Sequence, residues 1–381
     1  MKYVHRHIEN IFMENLRSGR VTMLLGARRV GKTAFIRNFI QAHTNGALLL
    51  NGEDITVHEM LERRSAQRYR ELFSHYALLI IDEAQKIPHI GAILKLIVDE
   101  IPTLKIIVTG SSAFDIARLT GEPLTGRQKV FHLFPFSEAE ITTDIPQDFS
   151  IDRLNDRLVF GGYPELLDMN PEDKSDYLRE LINSYLLKDI LVLDSVKNPH
   201  KMFQLLKLIA FQIGHDVSLQ ELGRQLSMSK NTVERYLELL CKIFVLYRLG
   251  GYSRNMRKEV VKSSRWYFYD NGIRNALIAN LNTVNTRNDI GQLWENYLVG
   301  ERLKRQSYER WLVNNYFWRT YDRQEIDWVE ERNGRLSGYE FKWNSNKKSK
   351  APPQWTKAYP DAFFEQINPQ NYRLNFLTEN K

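Results

Sequence analysis

Through the first 135 residues, short unbroken apolar runs alternate with longer stretches in which apolar side chains recur at helical spacing. Unbroken runs suit strands covered on both faces, and the interleaved amphipathic stretches suit crossover helices. The pattern therefore predicts an α/β domain with a parallel sheet. Strands are expected at Val21–Leu25, Ala47–Leu50, Leu78–Ile81, Lys105–Thr109 and Val130–Leu133. After Pro135 a helical, Leu-rich region extends from about Asp152 to Leu249, broken by the turn Gly161-Gly162-Tyr163-Pro164 and by Asn198-Pro199. From about Asp289, the apolar positions Ile290, Leu293, Trp294, Tyr297 and Leu298 mark a long amphipathic helix. Short segments rich in Trp, Tyr and Phe follow, interrupted by the polar loop Asn344–Lys350. Three parts are expected: residues 1–145, 146–275 and 276–381.

Composition narrows this picture. Of 381 residues, 43% are hydrophobic and 26% charged, the balance of a chain that buries real cores rather than a disordered tail or a fibre. The single cysteine, Cys241, cannot close an internal disulfide, which points to a reducing, cytoplasmic setting. No run approaches the ~18 apolar residues of a membrane span, and the first residues lack the apolar core of a signal peptide. The net charge of +7 is uneven: between Lys197 and Arg274 there are 14 Lys and Arg against 6 Asp and Glu. An excess confined to one segment suggests a polyanion surface there, because phosphate neutralisation is mostly the work of Lys and Arg.

Gly26-Ala27-Arg28-Arg29-Val30-Gly31-Lys32-Thr33 fits GxxxxGK[ST], after an apolar strand and at the opening of an amphipathic helix that begins near Ala34. Glycines let the main chain curl so that several N–H groups face one phosphate, and the helix start adds a favourable dipole. Lys32 would reach the β- and γ-phosphates of ATP, and Thr33 would ligate Mg²⁺. Leu78–Ile81 ends in Asp82-Glu83, two carboxylates at the carboxyl end of a parallel strand, where open α/β sheets bind ligands. Asp82 would hold Mg²⁺, and Glu83 would polarise the attacking water. The next strand ends near Thr109, Gly110 and Ser111; a hydroxyl there would face the γ-phosphate, with Ser111 preferred over Thr109. Arg127 reads either as a finger toward a neighbouring subunit's phosphate or as a surface arginine.

GARRVGKT, LLIIDEAQ, IIVTGSSA, PLTGR and GGYPE together resemble the AAA-type ATPases that carry a C-terminal DUF4143 domain, over nearly the whole chain. The resemblance implies an AAA+-like core, a helical and winged-helix middle region, and a C-terminal α/β domain related in fold to restriction endonucleases. GGYPE has no evident chemical role; Gly162 and Pro164 read as structural.

Val217–Gly223 followed by Ser229–Tyr236 has the form of a helix-turn-helix, with Ser229 as N-cap of the second helix. The start of such a helix faces the DNA major groove, which selects Lys230, Asn231 and Arg235, beside a basic wing at Arg254, Arg257, Lys258 and Lys262. Winged helices also serve as protein-contact modules.

In Tyr339-Glu340-Phe341-Lys342-Trp343 side chains alternate faces, so Glu340 and Lys342 are presented together while the aromatic residues turn the other way. With Asp327 this matches the Asp…Glu-x-Lys pattern of metal-dependent nucleases: Asp327 and Glu340 would ligate Mg²⁺, and Lys342 would position the attacking water. Ile326 stands where the name-giving motif has proline. Glu295 and Glu301 lie about 240° apart round their helix, and the family pattern selects Glu295 as the third ligand. The same Glu–Lys pair would also suit a plain surface ion pair.

The chain thus reads as an ATPase using ATP and Mg²⁺ that grips DNA through a winged helix and engages it with a nuclease-like domain, possible homo-oligomerisation included. The alternative is an ATP-dependent switch that binds a protein partner, with a non-cleaving C-terminal scaffold.

Overall fold

A computed structural model describes residues 3–43, 46–110, 124, 126–144, 151–186, 190, 196–253 and 263–377. The chain forms two compact units, one running to Glu140 and taking in Lys242–Phe244, the other formed by Ile141–Cys241 and the chain from Val245 onward.

The first unit is built on strands β1 (Val21–Leu25), β2 (Ala47–Asn51), β3 (Leu78–Asp82), β4 (Lys105–Gly110) and β5 (Gln128–His132), each within two residues of its expected position. All pair in parallel, in the order β2-β3-β4-β1-β5. Every side chain of β1 is buried, as expected of a central strand packed on both faces. One core gathers Val21, Met23 and Leu25 with Leu79, Ile81, Ile106, Val108 and the apolar face of Ile90–Glu100. Because β4 lies between β1 and β3, the ends of three strands meet at one edge of the sheet.

The second unit opens with the helices Ile151–Phe160, Pro171–Glu180, Pro199–Phe211, Leu219–Leu226 and Lys230–Lys242, the last ending beyond Cys241. Strands β6 (Leu246–Gly251) and β7 (Ser264–Phe268) then form an antiparallel pair. They continue into a six-stranded sheet with β8 (Asn314–Arg319), β9 (Glu325–Arg332), β10 (Arg335–Phe341) and β11 (Phe363–Ile367), in the order β11-β10-β9-β8-β6-β7. The parallel pairing of Gly250 with Tyr316 and Gly251 with Phe317 joins the two halves. The boundary expected after residue 275 therefore does not coincide with a break in the sheet. Helix Ile290–Tyr308 stands where the long helix from Asp289 is expected, but it is buried on nearly every side, with Glu301, Arg302 and Lys304 inside as well, rather than amphipathic.

The GGYPE turn acquires a physical role here. Gly161 sits at φ +79, and a Cβ there would come within 3.0 Å of the Asp270 carboxylate. The Gly162 N–H donates to Asp270 Oδ2 at 2.7 Å, and a Cβ on Gly272 would run into the Phe160 carbonyl oxygen. Asn271 and Asn275 donate to the Leu158 and Val159 carbonyls at the end of helix Ile151–Phe160. Two glycine-bearing turns, at 161–162 and 270–272, thus interlock. The side-chain amides satisfy carbonyls that a helix end leaves unpaired.

Candidate functional site

Main-chain geometry comes first at the amino-terminal site. Between β1 and the helix Lys32–His43, Arg29 adopts φ 65 and Gly31 φ 95. A Cβ at Gly26 would collide with the Leu133 carbonyl oxygen, so the loop must pass there without a side chain. Lys32 is 5% exposed, and its Nζ donates to the carbonyls of Gly26 and Ala27, both at 2.9 Å. Thr33 Oγ1 donates to Asp82 Oδ2 at 2.8 Å, joining the helix start to the end of β3. The hydroxyl and carboxylate expected to share a magnesium ion are thus already adjacent. A cationic lysine, a threonine hydroxyl and an aspartate around a curled main chain fit a magnesium-bound triphosphate.

Thr109 is fully buried at the end of β4; its hydroxyl donates to Asp82 Oδ1 and accepts from the Glu83 N–H at 3.1 Å. The strand-end hydroxyl placed beside the carboxylates is therefore Thr109; the preferred Ser111 lies outside the described residues. Glu83 takes the left-handed conformation, φ 51, and its Oε2 accepts from Gln85 Nε2 at 2.6 Å. A Cβ on Gly52 would clash with the Glu83 carbonyl oxygen, so that glycine leaves room for the turn. Arg127 is half-exposed and pairs with Asp99 of its own chain.

Sequence reasoning missed Arg6. Its guanidinium, 5% exposed, donates to the Val30 carbonyl within the phosphate loop at 2.9 Å, to the Phe134 carbonyl at 2.5 Å and to Glu140 at 2.9 Å. It also stacks 4.5 Å from the centre of the Phe136 ring. No local pattern marks an arginine for burial, because its partners come from three distant points of the chain.

In the second unit, Ser229 Oγ accepts from the Thr232 N–H at 3.1 Å, capping Lys230–Lys242. Ser227, at φ 50, makes the turn from the preceding helix. A Cβ on Gly223 would come within 3.0 Å of the Met228 carbonyl oxygen, so the two helices meet closely. Lys230, Asn231 and Arg235 are all exposed, while Val233, Tyr236 and Leu237 are buried. Gln220, Arg224 and Lys230 contribute to a surface cavity of about 580 Å³ at this turn. Arg254, Arg257, Lys258 and Lys262 lie outside the described residues.

The carboxylates of the C-terminal domain collect around a residue not foreseen. Arg265, on β7, is 4% exposed. Its Nη1 lies 3.9 Å from Glu295 Oε1 and 3.8 Å from Asp327 Oδ1, and Nη2 donates to Glu325 at 2.8 Å. Nε donates to Asp216 at 3.4 Å, and the guanidinium stacks on Phe317 at 4.6 Å. Tyr267 donates to Glu295 Oε1 at 2.7 Å, and the Phe341 N–H donates to Asp327 Oδ2 at 2.9 Å. Glu340 Oε1 pairs with Lys342 at 2.5 Å, as the shared strand face requires; its Oε2 is buried without a hydrogen-bond partner.

Burial, with the Asp327 charge adding to it, pushes Glu295 up to about 8 and Glu340 up to about 7; burial also raises Asp327. Burial disfavours the Arg265 charge, but Tyr267, Glu295, Asp327 and Glu325 outweigh it and hold the guanidinium above its usual value.

Of the three carboxylates expected to ligate magnesium, two share one cation, while Glu340 pairs with Lys342. Glu295 and Asp327 do come together, but around a guanidinium. Among the described residues no three His, Cys, Asp or Glu side chains are grouped so as to hold a metal ion. Glu301, the rejected candidate, is buried and paired with Lys304 at 2.7 Å.

Comparison with known proteins divides the chain three ways. Residues 18–142 match the AAA domain family, 151–284 the domain of unknown function DUF8612, and 290–374 the domain of unknown function DUF4143. An uncharacterised protein of Mycobacterium tuberculosis is 27% identical over 332 residues, 85% of this chain and 70% of that protein. An uncharacterised protein of Haemophilus influenzae is 24% identical over 277 residues, 67% of this chain and 68% of that one. Among solved structures, the Thermotoga maritima RuvB Holliday junction branch migration motor is 15% identical. It aligns over 67% of this chain and 88% of its own at a TM-score of 0.32. The Drosophila ORC structure bound to AT-rich DNA and Cdc6 is 13% identical, over 71% and 87%, at 0.25. At those scores the likeness carries no argument about function. No described helix is long and apolar enough to cross a membrane.

Proposed function

From a chain that joins an AAA domain to a C-terminal DUF4143 domain, we propose an ATPase that hydrolyses Mg·ATP at its amino-terminal site and engages DNA with its second unit. The observation that carries the first half is Lys32 folded onto the phosphate loop with Thr33, beside it, bonded to Asp82 at the end of β3. In this reading the main chain of Gly26, Ala27, Arg28, Arg29, Val30, Gly31 and Ala34 cradles the phosphates, and Lys32 neutralises them. Thr33 and Asp82 hold the magnesium that arrives with the nucleotide. Glu83 accepts the proton of the attacking water, and Thr109 fixes the Asp82 carboxylate and the Glu83 main chain. ATP turnover by the full chain, against Lys32→Ala as blank, is the direct test; no turnover above that blank would remove the reading.

Thr109→Val should lower turnover about tenfold. Removing a hydroxyl from a buried network costs on the order of 1–3 kcal/mol, and the loss falls on the positioning of Asp82 and Glu83. Steady-state kinetics should place the loss in kcat with KM little changed.

DNA contact rests on the basic excess between Lys197 and Arg274, and on Lys230, Asn231 and Arg235 standing exposed at a capped helix start. Three helices followed by the β6–β7 pair have the order of a winged helix. Affinity for duplex DNA should fall steeply with salt, and Lys230→Ala should reduce the log–log salt slope by about 1. A flat response would favour the protein-partner alternative. The order helix, three antiparallel strands, helix, parallel strand from Ile290 to Ile367 suits a nuclease-like domain that contacts the same DNA.

A further inference from the structure

We propose that Arg265 is the resident cation of the C-terminal carboxylate site, standing where a nuclease-like fold would hold a divalent metal. The site is thereby a guanidinium-locked joint rather than a metal centre. The inference goes beyond the ATPase and DNA-binding reading and does not depend on it.

Geometry is the first support. One side chain on β7 reaches four carboxylates that come from three places: Asp216, Glu295 on the long helix, and Glu325 and Asp327 on β9. Phe317 closes the guanidinium face. A planar donor fork with a stacked face is the arrangement that suits arginine and not a point charge. A divalent ion seated on Asp327 Oδ1 at an ordinary bond length of about 2.1 Å would lie no more than about 6 Å from Nη1. It would then have to displace that cation or share its field.

Lone pairs are the second support. Protein donors already take Asp327 Oδ2, Glu295 Oε1 and Glu340 Oε1. Arg319 also pairs with Asp216, so the joint extends to β8. Of the remaining oxygens, Asp327 Oδ1 faces Arg265 Nη1 at 3.8 Å, and Glu340 Oε2 is buried without a hydrogen-bond partner. What the arrangement does is tie β7 to the long helix and to the strands that carry the nuclease-like motif. Glu295 and Asp327 then serve this joint, while Lys342 is the counter-charge of Glu340.

The test uses the full chain without nucleotide, titrated with Mn²⁺ and followed by electron paramagnetic resonance. Wild type and Asp327→Asn should give superimposable isotherms; a stoichiometric Mn²⁺ site present in wild type and lost in Asp327→Asn would overturn the proposal. A second arm uses Arg265→Met. Its melting temperature should fall, Mn²⁺ should recover part of the loss, and Arg265→Met/Asp327→Asn should show no recovery. A folded Arg265→Met that Mn²⁺ leaves unchanged would also sink the idea. Should that variant fail to fold, the wild-type comparison still decides.

Discussion

Glu83→Gln is expected to lower ATP turnover on the order of 10²–10⁴-fold, the range for removing a general base, while nucleotide binding persists. The amide keeps the size of the carboxylate and its contact with Gln85, so the turn at φ 51 is preserved. What it loses is the ability to take a proton. Lys32 and Thr33 remain on the phosphate loop, and Asp82 keeps its bonds from Thr33 and Thr109. Calorimetric titration with ATP should therefore show affinity within a few-fold of wild type, against kcat reduced by at least two orders of magnitude. Equal loss of binding and turnover would assign Glu83 a structural role and return the search for a base to its neighbours.

The largest effect on stability is expected from Gly272→Ala. A methyl group there meets the Phe160 carbonyl oxygen well inside 3.0 Å, a backbone atom that cannot rotate away. Relief requires the start of helix Asn271–Leu277 to withdraw from the end of Ile151–Phe160. That movement would break the Asn271 and Asn275 bonds to the Leu158 and Val159 carbonyls and the Asp270 bond to Gly162. Overpacking alone costs about 1–3 kcal/mol, and stranded buried polar groups add about 1–3 kcal/mol each. The second unit should lose at least about 3 kcal/mol, read as a lower urea midpoint. Gly291→Ala is the matched control. It lies in a helix with nothing near a new Cβ, so it should be neutral or gain up to about 1 kcal/mol. Equal behaviour of the two variants would show that the interlock is not what fixes those turns.

Much of the amino-terminal site was legible because its parts are local. GARRVGKT specifies its own loop: the glycines, the lysine and the threonine are adjacent in sequence and act together in space. Asp82 and Glu83 follow an apolar run that marks a buried strand, so their place at a strand end follows from periodicity. That the Thr109 hydroxyl meets Asp82 and the Glu83 N–H depends on β4 lying beside β3, which no local pattern states; Ser111 lies outside the described residues. Arg6 left no trace in the sequence pattern, since it is held by Val30, Phe134 and Glu140.

The C-terminal carboxylates show the same division more sharply. Alternation along a strand correctly paired Glu340 with Lys342, and the helix from Asp289 correctly separated Glu295 from Glu301. A motif lists acids and one lysine, but it does not say which distant cation arrives among them. In the sequence Arg265 is one of 14 Lys and Arg in a basic stretch, with nothing local to mark it out.

By itself, then, the chain's order of residues determined a parallel α/β domain with a phosphate-binding loop, a capped basic helix and an acid-bearing strand pair. Each of these is written in residues within one turn or one strand, where backbone geometry fixes who faces whom. Tertiary structure decided that Thr109 reaches Asp82 and Glu83, that Asp270 seats the Gly161-Gly162 turn, and that Arg265 stands among the carboxylates. Those outcomes depend on strand order and on side chains meeting across more than a hundred residues in some cases, where close packing and the need to pair buried charge choose the partner.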